Sequence, residues 1–214
     1  DAQESRGLGD VYKRQVVDSI LSGENEEELS SRVSALGWRA RGAVAVMIGG
    51  SDQGTDVDNL RREARRSGAD VLVGIHGDRL IVVVGQVPEE NLDPAKTPSL
   101  FALCSGLSNS FTEGPIVVGS EVPSITDAHK SARSALSGFS VVGAWNKAPR
   151  PTSADDLLAE RALAGDMLAK TTLMNKIYQP LRKNSPDLLD TLVTYLETGR
   201  SLELTAREMF VHSN

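Results

Sequence analysis

Two stretches of this chain carry residue types whose spacing could do chemistry. The first is Gly49-Gly50-Ser51-Asp52-Gln53-Gly54-Thr55, a glycine-rich loop between an apolar run and a helical pattern. A loop that cradles phosphate needs a lysine after its last glycine to neutralise charge. Here Thr55 follows Gly54 and Asp52 adds a repelling carboxylate, so the glycines read as turn formers. The second stretch is Gly74-Ile75-His76-Gly77-Asp78-Arg79-Leu80, a tight turn between two β-branched runs. Metal-assisted phosphoryl transfer at such a turn would need several carboxylates converging on two ions. The strand end supplies only Asp52, and the turn supplies only Asp78, followed by Arg79.

The remaining candidates exclude more than they suggest. His76, His129 and His212 are too scattered for a metal cluster, and Cys104 has no second cysteine as co-ligand or disulfide partner. Ser51, Ser105 and Ser120 have glycine neighbours but no G-x-S-x-G arrangement. No nucleophile, metal site or cofactor is expected. The acidic run at residues 24–28 reads as a solvated helix start.

The elements that would position these residues follow from the periodicity along the chain. A helix is expected from Val16 to Gly23 and another after Asn25, stopped by Gly37. Residues 43–49 form a strand, and a helix capped by Thr55 runs to Gly68 along a Val57, Leu60, Ala64 stripe. Two strands joined by the His76-Gly77-Asp78 turn follow, then a helix near residues 99–111, a strand near 115–120, and a helix ending at Gly138. The order βαββαβ plus one further helix implies a ferredoxin-like split sheet with its helices on one face, within an α+β fold.

A Pro-rich polar stretch suits a domain boundary near residue 150, beyond which only helices are expected. Asp166 caps one helix; Ser185 caps the next, with Pro186 at its first position and Gly199 at its stop. Only Arg200 separates that stop from Ser201, which caps a helix carrying Leu202, Ala206, Met209 and Phe210. Two helices joined so tightly must turn sharply. A helix-turn-helix needs a small residue where its two helices cross, apolar residues that fasten them together, and a short turn into a second helix whose first residues meet phosphate and base edges. Thr205 and Ala206 stand in the first helix, and His212, Ser213 and Asn214 at the turn and the expected start of the second.

The chain has 214 residues, 40% of them hydrophobic and 24% charged, with a net charge of −6 and no apolar run long enough for a membrane span. That charge disfavours broad adhesion to nucleic acid or to anionic membranes, while a compact sequence-specific reader remains compatible with it. A cytoplasmic protein is expected. Residues 1–15, with the segment RGLGDVYKRQ, have no amphipathic pattern and resemble translated adapter sequence rather than part of the natural chain.

In its βαββαβ setting the hairpin turn His76, Gly77, Asp78, Arg79 resembles that of GGDEF domains, the diguanylate cyclase fold, in a degenerate form. Arg79 stands where that pattern has an acid and His76 where it has a glycine. The segments ERALAGD (160–166), GSEVPSITDAHKSARSAL and PLRKNSPDLLDTLVTYLETGRSLELTAREMFVHSN resemble the PucR and CdaR group of bacterial transcriptional regulators. That resemblance implies a GGDEF-like domain at 16–150 serving sensing or self-association, and a helical DNA-binding domain at 151–214 with an incomplete helix-turn-helix. It further implies a non-enzymatic regulator acting as a homodimer, with a possible small-molecule effector, whose parent protein contacts DNA through a recognition helix beyond Asn214. The readings from other classes are a nucleotide cyclase-like enzyme and a ligand-binding module without DNA contact.

Overall fold

The computed structural model describes residues 2–23, 26–52, 55–88 and 97–210. Five strands form one sheet in the order β2-β3-β1-β4-β5, with β1 at Val44–Gly50, β2 at Ala69–His76, β3 at Arg79–Gln86, β4 at Ile116–Val118 and β5 at Thr152–Ser153. β1 runs antiparallel to both β3 and β4, which gives the ferredoxin-like order expected for βαββαβ. β5 pairs parallel to β4, through Val117 with Thr152 and Val118 with Ser153. A strand therefore stands where only helices were expected, because two residues following the Pro-rich stretch reach the open side of β4.

Both faces of the sheet are covered, which corrects the expectation of helices on one face. On the first face α3 (Val57–Arg66) and α4 (Leu100–Leu107) pack Leu60, Ala64, Leu103 and Leu107 against Met47, Val73, Val82 and Val84. On the second, α1 (Ala2–Ser22), α2 (Glu26–Ala35) and α5 (Ala128–Val141) pack Val16, Val17, Ile20, Val33 and Ala132 against Val46, Ile48, Ile81 and Val83. The physical cause is visible in the strands themselves. Residues alternate between faces along a strand, and in the runs Val44–Ile48 and Leu80–Val84 every residue is apolar, so each strand needs two apolar partners. Each fully buried Val, Leu or Ile contributes roughly 1.5–3 kcal/mol relative to exposure, so an open face would be strongly disfavoured.

α5 lies close on the sheet because its inner face is made of small residues, Ala128, Ser131, Ala132, Ser134, Ala135 and Gly138. The Val46 amide donates to Ser131 Oγ at 2.9 Å, and the Ser120 amide donates to Ser134 Oγ at 2.8 Å. Gly138 does not stop this helix as its sequence context suggested. It lets the helix pass Val117, whose Cγ1 lies 2.9 Å from where a Cβ would sit.

Other boundaries also move. α1 begins at Ala2 rather than Val16, so the amino-terminal stretch without amphipathic pattern continues the same helix. α3 is capped by Asp56, which accepts from the Asn59 amide at 2.9 Å, while Thr55 Oγ1 instead accepts from the Asp52 amide at 3.2 Å. Asn25, expected to cap α2, lies outside the described residues, but Gly37 ends that helix as expected with φ +77.

The chain divides into two compact units, 1–164 and 165–214, so the boundary expected near residue 150 falls fourteen residues later, between Ala164 and Gly165. The intervening residues belong to the first unit through β5, a short 3-10 turn and α6 (Leu158–Leu163). Arg161 anchors α6: it is buried, and Nη1 donates to the Ala154 carbonyl at 2.8 Å. In the second unit, α7 (Met167–Leu173), a π-helical turn at Met174–Tyr178 and α8 (Gln179–Asn184) follow one another, then α9 (Pro186–Glu197) and α10 (Leu202–Glu208). Asp166 caps α7 as expected, accepting from the amides of Leu168 and Ala169 at 3.0 and 3.2 Å. Ser185 occupies the cap position of α9 without a side-chain capping bond, and Pro186 opens the helix where no N–H is needed.

Candidate functional site

In the first unit the strand end and the hairpin turn are brought together. Gly50 pairs with Arg79 across the β1–β3 register, and the Ser51 amide donates to the Asp78 carbonyl at 2.8 Å. Gly77 and Asp78 form a two-residue loop between the paired His76 and Arg79. Gly77 takes φ +61 and Asp78 does not share that left-handed geometry, the arrangement that calls for glycine at the first loop position.

Each side chain of this turn is engaged in packing or points to solvent. Arg79 carries its guanidinium 5.4 Å from the centre of the Phe139 ring of α5, a cation–π contact on the second face. His76 Nε2 stands 2.6 Å from Asp18 Oδ1 of α1 without meeting hydrogen-bond geometry. Asp78 is exposed.

The glycine loop has a packing explanation. A Cβ on Gly49 would come within 2.5 Å of Phe111 Cδ1, and one on Gly50 within 2.9 Å of Thr112 Oγ1. Phe111, buried, therefore fills the space over the end of β1. Arg150 holds that plug in place, donating from Nε to the Gly114 carbonyl at 2.8 Å and from Nη2 to the Thr112 carbonyl at 2.6 Å. Sequence reading missed Phe111 and Arg150, because neither belongs to a motif and they are 39 positions apart. Gln53 and Gly54 lie outside the described residues. Among the described residues no group of three or more His, Cys, Asp or Glu is placed to hold a metal ion. The thiol of Cys104 is pushed up to about 12 by burial and then by the nearby Glu121 carboxylate, so it is not a nucleophile at neutral pH.

In the second unit the corner between α9 and α10 is sharply defined. The Arg200 amide donates to the Tyr195 carbonyl at 2.8 Å and the Gly199 amide to the Leu196 carbonyl at 3.3 Å, the paired bonds of a Schellman stop. Gly199 and Arg200 both adopt left-handed φ, +68 and +63. Ser201 then caps α10 as expected, accepting from the Leu204 amide at 3.3 Å.

Thr205 is buried at this corner, its Oγ1 2.9 Å from Thr198 Oγ1 and donating to the Ser201 carbonyl at 2.7 Å. It therefore fastens α9 to α10; Ala206, expected where α10 meets the helix beginning at Ser213, is half-buried beside it. α10 ends at Glu208; Phe210 has φ +55 and is 97% exposed, so it leaves the apolar stripe to which its spacing assigned it. His212, Ser213 and Asn214 lie outside the described residues. The stripe of α9, Leu188, Leu192, Val193 and Leu196, is exposed.

The βαββαβ core, its hairpin and the strand-end loop match the model of the GGDEF-like domain over residues 22–141, and the chain belongs to that family. Along its whole length it is 36% identical, over 227 aligned positions, to uncharacterized proteins of Mycobacterium bovis and Mycobacterium tuberculosis. It spans about half of those relatives, 52% of their length. Among solved structures it is similar to a regulator of polyketide synthase expression from Bifidobacterium adolescentis, with a TM-score of 0.76 and 28% identity, covering 95% of this chain and 79% of that one. No described helix is long and apolar enough to cross a membrane.

Proposed function

We propose that this chain is part of a sequence-specific, DNA-binding transcriptional regulator of the PucR/CdaR type, in which the GGDEF-like domain serves sensing or self-association and carries out no phosphoryl transfer. The observation that carries this reading is the likeness to the polyketide synthase expression regulator, which extends over 95% of the chain and so takes in the helical unit as well as the GGDEF-like domain. α10, capped by Ser201, supports it as the first helix of a helix-turn-helix, with the helix that enters the major groove beginning at Ser213 and continued in the parent protein.

Charge agrees with that division of labour. From Glu160 onward acidic and basic side chains balance one for one, so the described helices bring no excess of cation to meet phosphate. In this reading Thr205 and Ala206 stand in the first helix of the DNA-binding motif, and His212, Ser213 and Asn214 lead into the reading helix. The parent acts as a homodimer whose two readers meet matched half-sites, with a small molecule as effector and the cytoplasm as its place of action.

The test is fluorescence anisotropy with random genomic DNA fragments, comparing this chain with the complete parent protein. The parent should select a subset of fragments with steep salt dependence, and this chain should bind none at physiological salt. A parent that shows no sequence preference would defeat the proposal. Incubation of the chain with labelled GTP and magnesium or manganese should yield no cyclic dinucleotide, since Phe111 occupies the strand end and Arg79 faces Phe139. A cyclic product would favour the cyclase reading instead.

A further inference from the structure

The outer edge of β2 has no second partner strand among the described residues and is flanked by arginines, with Val71 and Val73 themselves largely covered. β2 stands at one end of the sheet, and among the described residues only β3 pairs with it. His76 and Arg79 bracket a two-residue loop and so form a hydrogen-bonded pair, which turns Asp70, Leu72 and Gly74 toward β3 and directs the N–H and C=O groups of Val71, Val73 and Ile75 outward. The Val71 amide agrees with this direction, because it donates to Asp70 Oδ1 at 3.1 Å. Two cavities lie along this edge, one of about 360 Å³ beside Asp70, Val71 and Leu72, and one of about 430 Å³ beside Val73, Gly74 and Ile75. Arg61 of α3 lines both.

Positive charge gathers at the first cavity. Arg39, Arg61 and Arg65 line it against a single carboxylate, Asp70, which already accepts from the Arg39 amide at 2.8 Å. Lys13 of α1 also lines this wall. Around the second cavity the acids are occupied: Asp56 caps α3, and Asp58 pairs with Arg61 at 3.4 Å. Arg61 and Arg65 are four positions apart on α3, a rise of about 6 Å. Alternate side chains on one face of a strand are spaced by about 6.6 Å, so two carboxylates at i and i+2 of an added strand match the spacing of these two helix positions.

We propose that this edge docks an extended segment of another protein, which adds to the sheet as a further strand and places two alternate acidic residues against Arg61 and Arg65. Backbone bonds to Val73 and Ile75 supply the affinity and the arginine pair supplies register and selectivity. A second copy of this chain is disfavoured as occupant, because pairing β2 with β2 sets two Arg-Arg-Glu-Ala-Arg-Arg helices beside each other.

The probe is the capped peptide Thr-Val-Thr-Val-Glu-Val-Glu, whose acidic half meets the Asp70 end in antiparallel pairing, titrated into the chain and followed by amide NMR. The amides of Val73 and Ile75 should shift and gain protection from exchange, and the double variant Arg61→Gln, Arg65→Gln should bind at least tenfold more weakly while melting like the parent. Arg65→Gln alone, at an exposed position, keeps the comparison open if the double variant does not fold. A peptide with lysine in place of glutamate, and one N-methylated at alternate amides, should both lose binding. Equal binding of the lysine peptide refutes the charge match, and equal binding of the N-methylated peptide refutes strand addition. Absence of any shift at β2 up to millimolar peptide overturns the proposal, and so does a concentration-dependent dimer that buries the same amides.

Discussion

Replacing Gly119 by alanine is expected to loosen α5 from the sheet. A Cβ there would overlap the Ser131 carbonyl oxygen outright and sit 2.6 Å from its Oγ and 2.8 Å from its carbonyl carbon, all on a helix that cannot yield locally. Relief requires α5 to retreat by roughly an ångström, which stretches the 2.9 Å bond from the Val46 amide and the 2.8 Å bond from the Ser120 amide beyond hydrogen-bond range. A buried N–H left without a partner costs about 1–3 kcal/mol. Overpacking adds about 1–3 kcal/mol, so the total is on the order of 2–6 kcal/mol. For a unit of this size that corresponds to a fall in Tm of about 4–24 °C. Urea unfolding followed by the fluorescence of Trp38, which lies against Gly85 in the same unit, measures it. Gly106→Ala is the control: that glycine is in α4 with nothing within 4 Å of its added methyl, so alanine should stabilise by about 0.5–1 kcal/mol. If both variants unfold at the same urea concentration as the parent, the account of α5 as a closely seated helix is wrong.

Further outcomes follow from other parts of the molecule. Cys104 should resist a thiol reagent at pH 8 in the folded chain and react promptly in urea. Because its folded pKa of about 12 lies above the ordinary 9.0, stability should also fall as pH rises from 9 toward 12. Rapid labelling of the native chain would contradict the burial. Asp127 is held below the usual carboxylate range, first by the 2.6 Å bond from Lys130 and also by Ser124, so its contribution is present above the ordinary carboxylate pKa and lost as pH falls through its own lowered value. An NMR titration should show that midpoint rising in Lys130→Met; an unchanged midpoint would mean that Lys130 does not cause the shift. Arg200→Gly should relieve a left-handed side-chain residue and stabilise the corner by roughly 0.5–1 kcal/mol, seen as slower amide exchange in α10. Faster exchange would mean that Arg200 does more for the corner than its backbone shows.

Local features of the sequence were legible because their causes are local. The hairpin at Gly77 and the stops at Gly37 and Gly199 follow from positive φ, and the caps at Asp166 and Ser201 follow from side chains reaching amides two or three residues away. The order βαββαβ follows from runs of apolar residues whose period is read along the chain. What the residues alone also determined is which side chains stand at the hairpin, since Arg79 and His76 are identities that no fold can alter.

Tertiary structure decided what depends on partners far apart in sequence. Only packing places α5 on the second face, where Gly138 becomes a passing point for Val117 rather than a stop. Only packing brings Phe111 over Gly49 and ties Arg150 to the carbonyls of Phe111, Thr112 and Gly114, turning a phosphate-like glycine run into a filled strand end. Only the register of β2 against β3 shows which amides face outward, and only the seating of α3 beside that edge aligns Arg61 and Arg65 with them. A glycine or an arginine has the same symbol wherever it stands; the neighbour that gives it a role arrives through folding.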